Sequence, residues 1–311
     1  MRTDSLILAG EIERETGFSK DLLRKWRQRF GFPSVEGATE GHVGYSRETI
    51  PRLLLIRRLL EGGFRPSMVV GKSLLELDRL CRDLAGDAPK SPWSQTTQKL
   101  IEQLRKLDRT GLQTSLAKER SKGTLTDFVL STVAPLISAV GEAWLRMELE
   151  VYHEHVCTSI IQRCLHAEIL SCRPKRDYPT ILFATPPGEN HVLGLLMAEA
   201  ALADHGANCL NIGSNTPLND LRLAATACNA DAVALSFGFA YPARNVRPVL
   251  VHLRQVLPPH VAIWAGGEGS SKVLRPPKGV LMFSELDQAI TALLDLAKQT
   301  QSRRVATNTF S

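Results

Sequence analysis

Residues 185–194, TPPGENHVLG, carry a suggestive spacing: an acid, Glu189, two residues before His191, and a glycine, Gly194, three residues after it. A carboxylate that close to an imidazole can fix its tautomer and raise its basicity, which is what a metal-ligating histidine requires. The same spacing also suits a turn histidine that merely leads into a helix, and the ten residues alone leave both readings open. A second group lies in WLRMELEVYHEHV, where Trp144, Val151 and His155 are spaced to share one face of an uninterrupted helix. Its bland reading is a core stripe. A third group is basic: Lys20, Arg24, Lys25, Arg27 and Arg29 face only Asp21 in the same stretch. Such an excess suits phosphate contacts or a solvated surface.

These groups need elements to position them. From Tyr178 onward, TILFA, CLNIG, AVALSFG and VAIWAGG are short apolar runs that end in small or turn residues and are separated by helical stretches. That alternation predicts a parallel sheet with helices on both faces, and GVLMF and ELDQAITALLDLAKQ complete a flavodoxin-like α/β unit over 175–298. Residues 299–311 are expected to form a flexible tail. In such sheets ligands bind at the carboxyl ends of the strands. His191 follows the first strand, Ser236 and Gly238 the third, and Gly266 and Gly267 the fourth. Glycines there let backbone approach a bulky ligand.

Residues 96–174 show apolar recurrence at three and four, which predicts a four-helix bundle. A stretch rich in Gly, Pro, Ser and Asp marks 81–95 as a linker. Residues 1–80 open with two short helices around Gly17-Phe18-Ser19, with Gly17 as stop and Ser19 as N-cap. Ile7, Ile12, Leu22, Leu23, Trp26 and Phe30 supply a shared core, and helix-turn-helix spacing leaves the basic face for DNA.

The totals narrow the classes. A chain of 311 residues, 43% hydrophobic, can bury several cores, and its net charge of +6 is compatible with nucleic acid. Six cysteines without a CxxC pair indicate neither a zinc site nor a disulfide scaffold. With no leader and no membrane-length apolar run read in the sequence, a soluble cytoplasmic protein without a membrane partner is expected.

The segments SKDLLRKWRQRFGFP, GHVGYS and LLEGGFRP resemble the MerR-type winged helix-turn-helix family. The resemblance implies double-stranded operator DNA as partner. Arg24 and Trp26 would lie on its backbone, Ser19, Lys20 and Arg27 on the recognition helix, and His42 and Tyr45 in the wing. Val43 stands where the wing usually carries arginine, and Arg27 where an acid is common.

ENHVLG resembles the cobalamin-binding signature Asp-x-His-x-x-Gly, with SFG and AGG in the places of its other motifs. The resemblance implies that His191 is the lower ligand of cobalt and Glu189 its orienting partner. Gly194, Ser236, Gly238, Gly266 and Gly267 would receive the nucleotide tail. Glu189 replaces the usual Asp, and Gly238 stands where leucine is common. Together with the bundle, the chain is similar to the CarH/LitR-like photoreceptor family of MerR-type regulators. In that family Trp144, Val151, Glu154 and His155 would cover the upper face of adenosylcobalamin across a break between two helices. Leu145 occupies a position that is histidine in one branch.

The resemblance implies a non-enzymatic repressor whose oligomer, a dimer or tetramer, grips DNA under control of adenosylcobalamin and light. The alternative is a cobalamin-independent MerR-type DNA binder whose last domain is an oligomerisation platform or binds another ligand.

Overall fold

A computed structural model describes residues 6–39, 42–46, 48–85, 93–146, 148–238, 241–273 and 275–308. The chain divides into two units, 1–92 with 141–150, and 93–140 with 151–311.

In the first unit, β1 (Ile7–Leu8) leads into α1 (Ala9–Thr16) and α2 (Lys20–Phe30). Gly17 stops α1 in the left-handed region at φ 73° and returns its N–H to the Glu13 carbonyl. Ser19 caps α2 by accepting the Leu22 N–H at 3.3 Å. A hairpin of β2 (Gly37–Thr39) and β3 (His42–Tyr45) follows, and the antiparallel order β1-β3-β2 makes the wing. Next come α3 (Thr49–Glu61), α4 (Pro66–Val69) and α5 (Leu74–Ala85). Ile12, Leu23, Trp26, Tyr45, Leu53, Ile56 and Leu77 close one core. The linker assignment overlaps α5 as far as Ala85, and 86–92 lie outside the described residues.

The second unit begins with α6 (Gln95–Arg105) and α7 (Arg109–Arg120). A long apolar helix follows, built of α8 (Leu125–Phe128), a π-helical turn (Val129–Val133) and α9 (Ala134–Leu145), and α10 (Val151–Ser171) completes four helices. Leu125–Trp144 is in fact long and apolar enough by composition to cross a membrane, contrary to the expectation of no such run; half of it is buried, as a core helix requires. The uninterrupted helix inferred through Trp144 and His155 is also corrected. α9 ends at Leu145 and α10 starts at Val151, because Glu148 and Leu149 fold their N–H groups back onto the Ala143 carbonyl.

The sheet contains β4 (Thr180–Ala184), β5 (Asn208–Asn211), β6 (Ala232–Ser236), β7 (Ala262–Gly266) and β8 (Val280–Met282). Its order is β5-β4-β6-β7-β8, parallel throughout, the flavodoxin-like arrangement with its switch point between β4 and β6. Alternation sorts the faces. Leu182, Val233, Leu235 and Ile263 pack under α12 (Leu218–Ala227) and α13 (Ala243–Val256). Ile181, Phe183 and Trp264 pack under α11 (Leu193–Asp204) and α14 (Leu286–Asn308). The tail assignment from 299 is overturned, since α14 runs to Asn308 through residues with no helix breaker. α11 also carries the bundle: Thr126 donates its N–H and hydroxyl to Asp204 Oδ2 at 2.9 and 2.7 Å.

Candidate cofactor site and DNA-binding surface

β4 delivers the chain at the switch point, and the turn after it is tied down before His191 is reached. Thr185 Oγ1 donates to the Glu189 carbonyl at 2.6 Å and accepts the Asn215 N–H at 2.9 Å. Asn215 Oδ1 accepts the Gly188 N–H at 2.7 Å, and the Tyr241 hydroxyl reaches the Pro187 carbonyl at 3.3 Å. The loop is therefore held from both neighbouring strand ends.

Within it Glu189 is buried, at 2% exposure, while the His191 side chain is 71% exposed. Glu189 Oε1 accepts the His191 N–H at 2.8 Å and lies 2.7 Å from His191 Nδ1. A carboxylate only accepts, so Nδ1 carries the proton and Nε2 is the basic atom of the ring. Oε2 accepts the Gly238 N–H at 2.7 Å. Burial pushes the Glu189 carboxyl up, but hydrogen bonds from the His191 ring, the His191 N–H and the Gly238 N–H together hold it below the usual carboxylate range.

The two departures from the cobalamin signature explain each other. A Cβ at Gly238 would come within 2.9 Å of Glu189 Oε2. The longer acid reaches the backbone of the loop after β6 because residue 238 has no side chain.

Beside this pair a cavity of about 200 Å³ opens between α11 and α14 over the ends of β4, β6 and β7. Gly194, Ser236, Gly266 and Gly267 all line it, with Phe183, Met197, Trp264 and Phe283 as its apolar walls. Ser236 is its buried hydroxyl. A Cβ at Gly194 would stand 3.2 Å from Ser236 Oγ, so that glycine keeps the mouth open. Gly267 has φ 89°, and a Cβ there would collide with the Phe237 carbonyl oxygen. A largely apolar slot with one buried hydroxyl, and the exposed Ser284 and Glu285 in its lining, beside a carboxylate-oriented histidine fits a corrinoid with an aromatic nucleotide tail.

Thr185, Asn215 and Tyr241 as loop ties, and Trp264 and Phe283 as slot walls, were not singled out from sequence. Thr185 opens the quoted stretch and Trp264 sits inside VAIWAGG, so position in the motifs was the available signal.

The upper-face candidates are divided. On α10, Glu154 Oε2 lies 2.7 Å from His155 Nδ1, and Glu154 Oε1 accepts the Thr158 hydroxyl at 2.7 Å. Val151 is half-buried at the start of that helix. Trp144 belongs to the first unit, where it is buried and its ring lies under the Arg58 guanidinium at 5.3 Å.

On the helix-turn-helix, Ser19, Lys20 and Arg24 are exposed on α2 and Arg27 is half-buried. Arg24 pairs with Asp21 at 3.1 Å with both side chains largely exposed, an interaction of little strength. Two DNA candidates are corrected. Trp26 is 5% exposed and stacks on Phe18 at 4.9 Å, and Tyr45 is 4% exposed in the same core. Both rings are large apolar bodies that the small domain needs inside, so neither faces a phosphate. The side chain of His42 lies outside the described residues.

The profile of MerR HTH family regulatory proteins matches residues 9–71, and that of the B12 binding domain matches 96–167. The chain is 26% identical to the HTH-type transcriptional repressor CarH of Myxococcus xanthus over 275 residues, 86% of this chain and 89% of that protein. With a MerR HTH segment followed by a B12 binding segment, the chain is similar to the CarH-like MerR-type regulators. A second relative is the HTH-type transcriptional repressor CarA of the same organism, 23% identical over 94% of this chain and 97% of the relative. Among solved structures, the monomethylamine corrinoid protein of Methanosarcina barkeri aligns at TM-score 0.52 and 14% identity, covering 64% of this chain and 96% of its own. That likeness concerns the fold of bundle and sheet.

Proposed function

We propose that this protein is a cytosolic transcriptional repressor whose hold on operator DNA is set by bound adenosylcobalamin and released by light through a change of oligomeric state. The observation that carries the reading is the His191–Glu189 pair, whose Glu189 also holds the Gly238 N–H, on the loop that leads into Gly194, itself a lining residue of the cavity with Ser236. His191 Nε2 would be the atom that ligates the cobalt, and Glu189 keeps the ring in the tautomer that can do so. Ser236 and the aromatic walls would hold the nucleotide tail, with water excluded. Bound adenosylcobalamin supplies a light-labile cobalt–carbon bond and a bulky upper ligand. Trp144, Val151, Glu154 and His155 are the residues that would register whether that upper ligand is present.

For control, the ligand must favour one assembly state over the other, since equal affinity shifts nothing. Joined DNA-binding domains then raise the effective concentration of each recognition helix, and separated ones lose it. Lys20, Arg24 and Arg27 on α2 are the cations that would meet phosphates, with Ser19 at the start of that helix.

The test is absorbance and size-exclusion of the full chain with adenosylcobalamin, in darkness and after green light. A bound corrinoid spectrum, lost in His191→Ala, and a larger assembly that shrinks on illumination are expected. A colourless protein of unchanged size sinks the proposal.

A further inference from the structure

Arg58 on α3 is a charge buried inside the first unit, at 8% exposure. A buried guanidinium needs compensation, and among the described residues it finds two partners: Glu150 Oε2 at 3.3 Å and the face of Trp144 at 5.3 Å. Both come from 141–150, the short stretch that ends α9 and enters α10. One residue earlier on α3, Arg57 donates from Nη1 to the Thr16 carbonyl at 3.4 Å, the last carbonyl of α1 before the turn into α2. Adjacent arginines on one helix therefore touch, respectively, the helix-turn-helix turn and the break between two bundle helices.

The geometry points to Arg58 as a relay residue: the Trp144–Arg58–Glu150 contact latches the α9–α10 break to α3, and α3 passes its displacement through Arg57 to the turn that sets recognition helix α2. Pulling Trp144 away leaves the Arg58 charge with one partner instead of two, and α3 must shift to rescue it. The extension to cofactor control rests on the reading above, in which Trp144 answers to the upper ligand; the latch itself does not.

The experiment is hydrogen exchange of the full-length chain, first without cofactor, in a cycle of Trp144→Leu, Arg58→Met and the double variant. Methionine fills the arginine's place without leaving a charge. Trp144→Leu is expected to speed exchange in the peptide covering 9–24 by about fivefold, and to add nothing once Arg58→Met is present. Equal acceleration in both backgrounds, or none at 9–24, overturns the latch. Where either variant does not fold, Arg58→Lys and Glu150→Gln complete the same cycle. In a second arm, dark adenosylcobalamin is added and loading is followed by absorbance. A change at 9–24 in the wild type that disappears in Arg58→Met supports the relay; a loaded protein with no change there overturns it. A protein that takes up no corrinoid sinks the cobalamin reading alone, and the cofactor-free cycle still decides the latch.

Discussion

Glu189 grips His191 at two points, taking the backbone N–H at 2.8 Å and the ring Nδ1–H at 2.7 Å on the same oxygen, Oε1. The other oxygen is spent on the Gly238 N–H. An acid two residues before a histidine thus orients the ring and also locks the strand-end loop to its neighbour across the switch point. Loop integrity and imidazole basicity share one carboxylate.

The first consequence is a pH dependence of known sign. Glu189 sits below its ordinary carboxylate range, so its contribution to folding is fully present above the unfolded value of about 4.3 and fades as pH falls through the lowered folded value. Urea unfolding of wild type and Glu189→Gln from pH 3 to pH 7 should show a gap of about 1–2 kcal/mol at neutrality that closes toward acid. A gap that widens toward acid contradicts this assignment.

The Glu189–Gly238 complementarity predicts a coupled pair. Gly238→Leu alone should displace the carboxylate and lower His191's affinity for cobalamin, because its Cβ would enter the 2.9 Å approach to Oε2. Combined with Glu189→Asp, the same leucine should be tolerated and much of the affinity restored, a coupling of about 1 kcal/mol or more. Additive losses in corrinoid titrations would argue that the two substitutions are unrelated.

Closing the slot should separate binding from folding. Gly194→Val places a branched side chain on the Ser236 hydroxyl at the cavity mouth. Corrinoid affinity should fall by about tenfold or more, an effect of roughly 1.4 kcal/mol, with the cofactor-free thermal midpoint nearly unchanged. Tight binding by this variant would place the nucleotide tail elsewhere.

On the DNA side, Arg24→Ala should weaken binding to all duplexes and reduce the salt slope by about one. Trp26→Ala should instead unfold the domain, costing about 3–5 kcal/mol, since that ring is packed against Phe18 and the core. Circular dichroism beside filter binding distinguishes the two kinds of loss.

The thiols give a further check. Burial pushes the Cys157 thiol up to about 12, with the nearby Glu154 charge adding to it. Iodoacetamide at pH 8 should leave Cys157 unmodified in the folded chain and label it on unfolding; rapid labelling of the native protein would mean that α10 opens locally.

The sheet was legible because strand runs with small residues at their ends are a local pattern, and the sequence position of a strand end also places its loop. The same pattern places His191, Ser236, Gly238, Gly266 and Gly267 on one rim. The cap residues Gly17 and Ser19 were legible for the same local reason. Trp26 and Tyr45 were misplaced because family roles were carried onto rings whose burial depends on tertiary packing. The helix break before Val151 was hidden from periodicity, since a few residues of loop can keep apolar spacing intact. The partnership of Trp144 with Arg58 joins residues 86 positions apart, and no spacing rule reaches that far.

The π-helical turn at Val129–Val133 has one more effect. It is a single extra residue wound into an otherwise α-helical rod, and every side chain beyond it is turned by about 100° from where straight α-geometry would put it. Trp144 lies three turns downstream on that rod. The direction its indole faces is therefore decided at a site remote from it: straightening the turn to α-geometry at unchanged length would rotate the indole away from its present neighbour, whereas deleting one residue near Ser131 would absorb the bulge and leave the indole where it is.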